Sequence, residues 1–329
     1  MVRLNTLLIR VDTNHKIGLG HLMRCLALAQ AWVRRGGRCI FVMADISQMI
    51  LERLVRESIE VEVLHSLVDE IQHIDKIGQQ NSAEWLVVDG YQFGAEYMQA
   101  LKERRWKILL IDDGIPLPYY PVDIILNQNQ YADDSIYADK TDAKLLIGTQ
   151  YAVVQEEFFL TRSWRREFPN IGSKLLITFG GADPYNSTMG MINSIIENCP
   201  GLLSEIDTRV IIAGTNKQKP SIEHSVKYIK NIQVFSDVQN MADHIRWCDI
   251  AVSSAGYTVL EASLYQTPMI LIPNSNNEKQ LASKMNETGA SIVFMELQGP
   301  NHHLIINLIC KLFKAVSYTH LTLPTKRIV

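Results

Sequence analysis

Two kinds of hydrophobic pattern alternate along the chain. Short apolar runs of the type buried on both faces of a parallel sheet fall at residues 7–11 (LLIRV), 38–43 (RCIFVM), 61–64 (VEVL), 85–88 (WLVV), 107–111 (KILLI), 124–126 (IIL) and 144–147 (KLLI). Helix-period stretches lie between the earlier ones, at 21–35, 46–58, 67–80 and 95–103, and Gly36-Gly37 ends the first helix. The alternation breaks at 155–171, which holds Phe158, Phe159, Trp164 and Phe168 and reads as a domain end and linker, its aromatic residues being packing anchors. A second series then begins, with strands at 174–179 (KLLITF), 207–212, 232–235, 249–252, 268–272 and 290–294. Its helices are expected at 188–197, 241–246, 258–265, 278–287 and 304–314. Strands alternating with helices predict an α/β protein with mainly parallel sheets. The simplest arrangement is two Rossmann-like domains, 1–160 and 161–316, facing each other across a cleft. The tail 317–329 (SYTHLTLPTKRIV) carries no helix period and is expected to be disordered or foreign to the natural product.

Composition narrows the partners. The 329 residues are 47% hydrophobic and 20% charged, with a formal net charge of -3. That balance gives no electrostatic reason for a nucleic-acid partner or membrane insertion. Five widely spaced cysteines without a CxxC pair argue against structural zinc and a disulfide framework, and a reducing, cytoplasmic setting fits. No apolar run is long enough to span a bilayer, and the N-terminus does not read as a signal peptide.

Candidate chemistry concentrates where the first strand meets the first helix. Asp12 follows the strand, a polar turn carries Gly18 and Gly20, and His21 opens the helix. Open α/β sheets bind ligands at the carboxyl ends of their strands, and free helix-start amides receive anions. His21 is either a general base there or a solvent-facing helix residue. Arg24, three residues on, can neutralise a phosphate and can pair with Asp12, and the two uses are not exclusive. Asp89 and Asp112 end later strands as Asp12 ends the first, so a shared polar edge is expected. The run Gly18-Leu19-Gly20 is not a dinucleotide fingerprint, because Met23 stands where the third glycine belongs, and no GxxxxGK[ST] loop exists. Neither nicotinamide nor ATP is indicated, His302-His303 lacks ligand spacing for a metal, and no GxSxG elbow is present.

The second series offers two glycine-bearing turns. Gly180 and Gly181 follow a strand and permit close ligand approach, while Asp183-Pro184 is either part of that site or a helix start. Ser253, Ser254, Gly256 and Thr258 form a small-residue nest before a helix, with Glu261 either a capping acid or a ribose acceptor. Asn277 and Gln280 lie in a polar run that is either ligand-facing or surface loop.

The segments IRVDTNHKIGLGHLMRCLALA (9–29), VVDGY (87–91), IDD (111–113), NQN (127–129), GTQYAVVQEEF (148–158), LITFGGADP (176–184) and SSAGYTVLEA (253–262) together resemble the UDP-sugar hydrolases of pseudaminic acid biosynthesis and the SpsG-like spore-coat polysaccharide proteins. The resemblance implies the two-domain GT-B architecture of MurG and cleavage of UDP-2,4-diacetamido-2,4,6-trideoxy-β-L-altropyranose by inverting attack of water, with no cofactor and no metal. It places the catalytic histidine on His21 and the nucleotide contacts mainly between Gly180 and Gln280. Beside that histidine the further catalytic candidates are Asp12, either to fix its tautomer or to bind a sugar group, and then Tyr91. It also implies neighbouring enzymes of nonulosonic acid synthesis as partners. The chain departs from the pattern at Ala255, where paired glycines are usual, and at Gln155, where arginine is common. The rival readings are a GT-B glycosyltransferase of cell-surface or spore-coat polysaccharide synthesis, a UDP-sugar 2-epimerase and a non-catalytic nucleotide-sugar binding subunit.

Overall fold

The computed structural model describes residues 5–13, 19–64, 66, 68–169, 171–181, 183–198, 200–214, 216–289, 291–294 and 302–314. Gly18 and the tail 317–329 lie outside them. The chain divides into two compact units, Met1–Glu156 and Glu157–Val329, where the sequence pattern places the boundary at 160/161.

The first unit runs β1 (Thr6–Val11), α1 (Gly20–Arg34), β2 (Arg38–Met43), α2 (Gln48–Arg56), β3 (Glu60–Val63), α3 (Glu70–Asn81), β4 (Trp85–Asp89), α4 (Ala95–Glu103), β5 (Lys107–Ile111), β6 (Ile124–Asn127) and β7 (Lys144–Ile147). Its strands form one parallel sheet in the order β3-β2-β1-β4-β5-β6-β7. Every residue of β1 is buried, because helices cover both faces and no polar side of the strand remains. Leu8 faces one core with Ile74, Leu86 and Met98. Leu7, Ile9 and Val11 face the other with Leu22, Cys25 and Leu26 of α1, as the two-residue strand period requires. Helix α1 stops where Gly36 adopts φ +87°, with the Gly36 and Gly37 amides donating to Val33 O and Trp32 O, a terminus that needs a left-handed residue. Ser47 caps α2, its Oγ accepting from the Ile50 amide at 3.4 Å.

The second unit contains α5 (Glu156–Leu160), which begins at the division between the units, then β8 (Lys174–Thr178), α6 (Ser187–Asn198), α7 (Leu202–Glu205), β9 (Asp207–Ile212), α8 (Lys219–Val226), β10 (Ile232–Ser236), α9 (Met241–Trp247), β11 (Ile250–Ser253), α10 (Thr258–Leu264), β12 (Met269–Leu271), α11 (Asn276–Glu287), β13 (Ser291–Val293) and α12 (His302–Lys314). Its parallel sheet has the order β10-β9-β8-β11-β12-β13. The sequence pattern missed α5, α7 and α8. Helix α8 buries only Ile222 and Val226, too few apolar positions for a visible stripe. In the segment read as linker, Phe158 is buried and packs with Trp164 around Tyr265, whereas Phe159 is exposed.

In both sheets chain order reverses at the first strand of the unit: β1 lies between β2 and β4, and β8 between β9 and β11. Ligands of doubly wound sheets bind beyond the carboxyl ends of the strands at this switch point.

One tight contact fixes the opposite end of the first sheet. A Cβ on Gly78 of α3 would lie 2.3 Å from Trp106 Cη2. Gly78→Ala gains about 1 kcal/mol of helix propensity but displaces a buried indole, for a net loss of up to about 2 kcal/mol. The readout is a lower urea midpoint at unchanged m-value; an unchanged or higher midpoint shows that the indole yields freely.

Candidate active site

Backbone register builds the first unit's site. Val11 pairs with Asp89 across β1 and β4, so α1, which follows β1, starts beside the end of β4. Its first turn carries His21, and the next carries Arg24 and Cys25. All three side chains reach Asp89, which is fully buried. His21 Nδ1 lies 2.6 Å from Asp89 Oδ1. Arg24 Nε donates to Asp89 Oδ2 at 2.7 Å, Arg24 Nη2 to Oδ1 at 2.7 Å, and Cys25 Sγ to Oδ2 at 3.3 Å.

A carboxylate oxygen at 2.6 Å requires a proton on His21 Nδ1. The neutral ring then carries its lone pair on Nε2, and Nε2 has no hydrogen-bond partner among the described residues. Arg24 Nη2 also sits 2.9 Å from Nδ1, a consequence of both groups converging on the same oxygen. Burial works against charge on Asp89, but the Arg24 guanidinium and then His21 outweigh it and hold the carboxyl well below the usual carboxylate range.

Arg24 also binds Asp113, through Nη1 to Oδ1 at 2.6 Å and Nη2 to Oδ2 at 3.1 Å. Asp113 accepts in addition from Tyr91 Oη at 3.0 Å and Asn129 Nδ2 at 2.9 Å. Burial again opposes its charge, and Arg24 again prevails, so its pKa is lowered. The half-exposed Tyr91 ring stands edge-on to His21, centroids 4.6 Å apart at 86°. The structure therefore brings His21, Arg24 and Tyr91 together and adds Asp89 and Asp113, whose roles the sequence reading did not assign.

Two expectations need correction. Asp12 does not orient His21. It pairs with the buried Arg10 at 2.5 Å and accepts from the Ala44 amide at 2.7 Å and Gln92 Nε2 at 3.1 Å, tying β1 to the chain beyond β2. Arg24 does not pair with Asp12, and as a phosphate ligand it is pre-empted: it is buried and chelated by two carboxylates. Gly20 opens α1, which has no side-chain cap and no acidic residue in its first turn. Where the chain departs from the resembled pattern, buried Gln155 accepts from Arg53 Nη2 at 2.8 Å; an arginine there would set two guanidiniums against each other.

In the second unit Ser253 pairs with Thr178 across β11 and β8, which places Gly180 and Ser254 on neighbouring strand ends. Gly180 is exposed with φ +71°, and Gly181 follows it in the turn. Asp183 is a helix cap, accepting from the Ser187 and Thr188 amides at 2.7 and 3.1 Å, so the start of α6 is already occupied by a carboxylate. Ser253, Ser254 and Glu261 are buried, and Gly256 and Thr258 half-buried. Thr258 is the first residue of α10 and not its cap, for the N-cap is Tyr257 and no side chain caps that helix. Asn277 is half-buried and Gln280 exposed, both near the start of α11. Among the described residues, no group of three or more His, Cys, Asp or Glu is placed to hold a metal ion, and no helix is long and apolar enough to cross a membrane.

The carboxylate pair makes stability acid-sensitive. Asp89 and Asp113 have folded-state pKa values lowered from the ordinary value. The unfolded chain therefore binds more protons as pH falls below about 4, and the stability these groups contribute, complete above that value, is lost on further acidification. Asp89→Asn is expected to cost about 3 kcal/mol or more at neutral pH, because it leaves Arg24 with one carboxylate, and to flatten the loss between about pH 4 and 2. Urea midpoints across that range provide the check, and a parallel, undiminished acid limb in the variant contradicts the assignment.

Comparisons with known proteins agree on the architecture. Residues 176–308 match the glycosyltransferase family 28 C-terminal domain. The chain is 26% identical over 293 residues to the UDP-2,4-diacetamido-2,4,6-trideoxy-β-L-altropyranose hydrolase of Campylobacter jejuni, covering 87% of this chain and 98% of that protein. Among solved structures, a putative UDP-N-acetylglucosamine 2-epimerase from Listeria monocytogenes superposes with TM-score 0.65 at 12% identity, covering 100% of this chain and 93% of the other. MurG of Acinetobacter baumannii superposes with TM-score 0.57 at 12% identity, covering 96% and 94%. The resemblance read from the motifs therefore stands: the chain is similar along most of its length to that UDP-sugar hydrolase, its fold is GT-B, and part of the second unit matches the family 28 C-terminal domain.

Proposed function

We propose that the protein is an enzyme that hydrolyses UDP-2,4-diacetamido-2,4,6-trideoxy-β-L-altropyranose, or a close UDP-sugar, to UDP and free sugar. The observation that carries this reading is His21, held by a buried, arginine-pinned carboxylate through Nδ1 while Nε2 has no partner among the described residues. That arrangement supplies a base of fixed tautomer. In the reaction a water oxygen forms a bond to the anomeric carbon as the bond from that carbon to the diphosphate oxygen breaks. The bonding pair leaves with UDP, the water proton goes to His21 Nε2, and Asp89 stabilises the imidazolium. Attack opposite the leaving group inverts the anomeric centre. Tyr91, edge-on to the imidazole, limits how the ring can turn and adds polar surface beside it. No cofactor enters these steps. The similarity to a hydrolase over 98% of that protein's length supports water as the acceptor.

The family 28 match favours one second reading, a glycosyltransferase in which an acceptor hydroxyl replaces water. The two part on product: free sugar formed without any acceptor, followed with UDP by NMR, supports hydrolysis. No release without an added acceptor supports transfer.

His21→Ala and His21→Asn are expected to lower turnover by about 100- to 10,000-fold, the usual contribution of a general base, while UDP affinity stays within about two-fold because the base touches water and not the nucleotide. Single-turnover kinetics and calorimetric UDP titration measure the two quantities. Parallel loss of both assigns His21 to binding or folding instead.

A further inference from the structure

The carboxyl edge of the second sheet holds a polar gap whose chemistry is not that of a phosphate cradle. Two glycines open it. A Cβ on Gly180 would lie 3.9 Å from Ser254 Oγ, and one on Gly256 would lie 3.7 Å from the same atom. The Gly256 Cβ would also lie 3.3 Å from Glu278 Oε1, so a serine hydroxyl and a carboxylate oxygen stand around the space that Gly256 leaves empty.

Both groups have unspent hydrogen-bonding capacity. Ser254 is 6% exposed, yet its hydroxyl has no partner among the described residues. Glu278 is anchored by its other oxygen. Oε2 accepts from the Asn274 amide at 2.6 Å, while the Glu278 amide donates to Ser275 Oγ at 3.2 Å, capping α11. Oε1 has no partner among the described residues. Burial pushes this carboxyl above its ordinary value, with only the Asn274 amide acting the other way. Ser254 Oγ is not among the described side-chain atoms that are both sealed from solvent and unpartnered, so the hydroxyl is open to water or to a ligand entering the gap.

The sign of the charge decides what the gap accepts. A carboxylate repels a phosphate oxygen and accepts from O–H or N–H. We propose that the space over Gly256 receives a hydrogen-bond-donating part of the nucleotide sugar, a hydroxyl or an amide N–H, with Glu278 Oε1 as its acceptor and Ser254 Oγ as a second contact. The diphosphate is held elsewhere. Glu278 is thus a specificity-determining residue, and Gly256 is glycine because a side chain would fill the seat. This inference rests on the UDP-sugar reading, but it concerns binding and not the fate of the anomeric bond.

The test is calorimetric titration of the full chain with uridine, UDP and UDP-N-acetylglucosamine, comparing wild type with Glu278→Gln and Ser254→Ala. In Glu278→Gln one carbonyl replaces two carboxylate oxygens, so Asn274 and the ligand compete for a single uncharged acceptor. Dissociation constants for at least one of the three ligands are expected to rise about ten-fold or more, the effect of losing a charge-assisted hydrogen bond. Ser254→Ala should weaken the same ligand by a smaller factor. Tighter UDP binding by Glu278→Gln would show the carboxylate facing phosphate and overturn the proposal, as would unchanged affinity for all three ligands. A thermal midpoint within a few degrees of wild type separates these outcomes from loss of the α11 cap. Wild-type protein that binds none of the ligands defeats the nucleotide reading itself and this inference with it. Intact binding without hydrolysis defeats only the proposed reaction.

Discussion

The first unit's site depends on keeping one carboxylate charged where no water reaches it. Asp89 ends the strand beside β1 at 0% exposure. An ionised group in that position is stable only if its oxygens are saturated by donors and its charge is countered. Arg24 counters the charge, and Arg24, His21 and Cys25 saturate the oxygens. The Cys25 thiol keeps its proton because burial, and then Asp89 itself, push its pKa well up. It therefore remains a donor. Once Arg24 is drawn inward its remaining donors need an acceptor too, and Asp113 is that acceptor. Two carboxylates against one guanidinium leave one negative charge in the cluster when His21 is neutral. A proton arriving at His21 cancels it.

The strand order explains why the sequence revealed the ingredients but not the pairing. Acidic residues at strand ends, a histidine opening a helix and an arginine three residues later are all visible in one dimension, and their convergence on one sheet edge follows from the α/β alternation. Which acid meets which base does not. His21 and Asp89 are 68 residues apart and meet because β4, not β2, lies on the side of β1 toward which the first turn of α1 projects. Asp12 is nearer in sequence, but the Ala44 amide beyond β2, Gln92 beyond β4 and Arg10 of β1 itself take it up. Arg10 lies in a strand and is almost fully buried, so periodicity alone reads it as a flaw in an apolar run. Its ion pairs with Asp12 and Glu70 resolve that flaw only in three dimensions.

The second unit repeats the lesson with weaker signals. Its sheet was legible from β-branched runs, and its reversal between β9 and β11 puts the glycine turns at the switch point. The helices that escaped notice are short or sparsely apolar: α7 spans four residues and α8 buries two. Local polar pairings were also hidden. The Ser-x-x-Glu pattern at Ser275 and Glu278 is a real capping arrangement, whereas the similar spacing at Thr258 and Glu261 is not, because α10 starts at Thr258 itself. A spacing rule cannot separate them, since the cap is defined by backbone dihedrals that the pattern does not contain.

On the proposed UDP-sugar reading, charge compensation for the diphosphate falls to groups other than those already paired. Arg24 is spent on Asp89 and Asp113, Arg10 on Asp12 and Glu70, and the Ser187 and Thr188 amides on Asp183. Beside the Glu278 carboxylate, which repels phosphate, the groups left at the second switch point are the backbone N–H groups of the Gly180–Gly181 turn, and on the proposed reading these neutral donors are the ones that suit a diphosphate. Neutral donors bind an anion without requiring a buried cation when the site is unliganded. They therefore avoid the desolvation cost that makes an unpaired buried charge untenable. Such a site discriminates by geometry, because each amide points in a direction fixed by the turn. The left-handed φ of Gly180 sets where the next amide aims, and a side chain there would strain the backbone, although its Cβ would meet Ser254 Oγ only at an ordinary 3.9 Å.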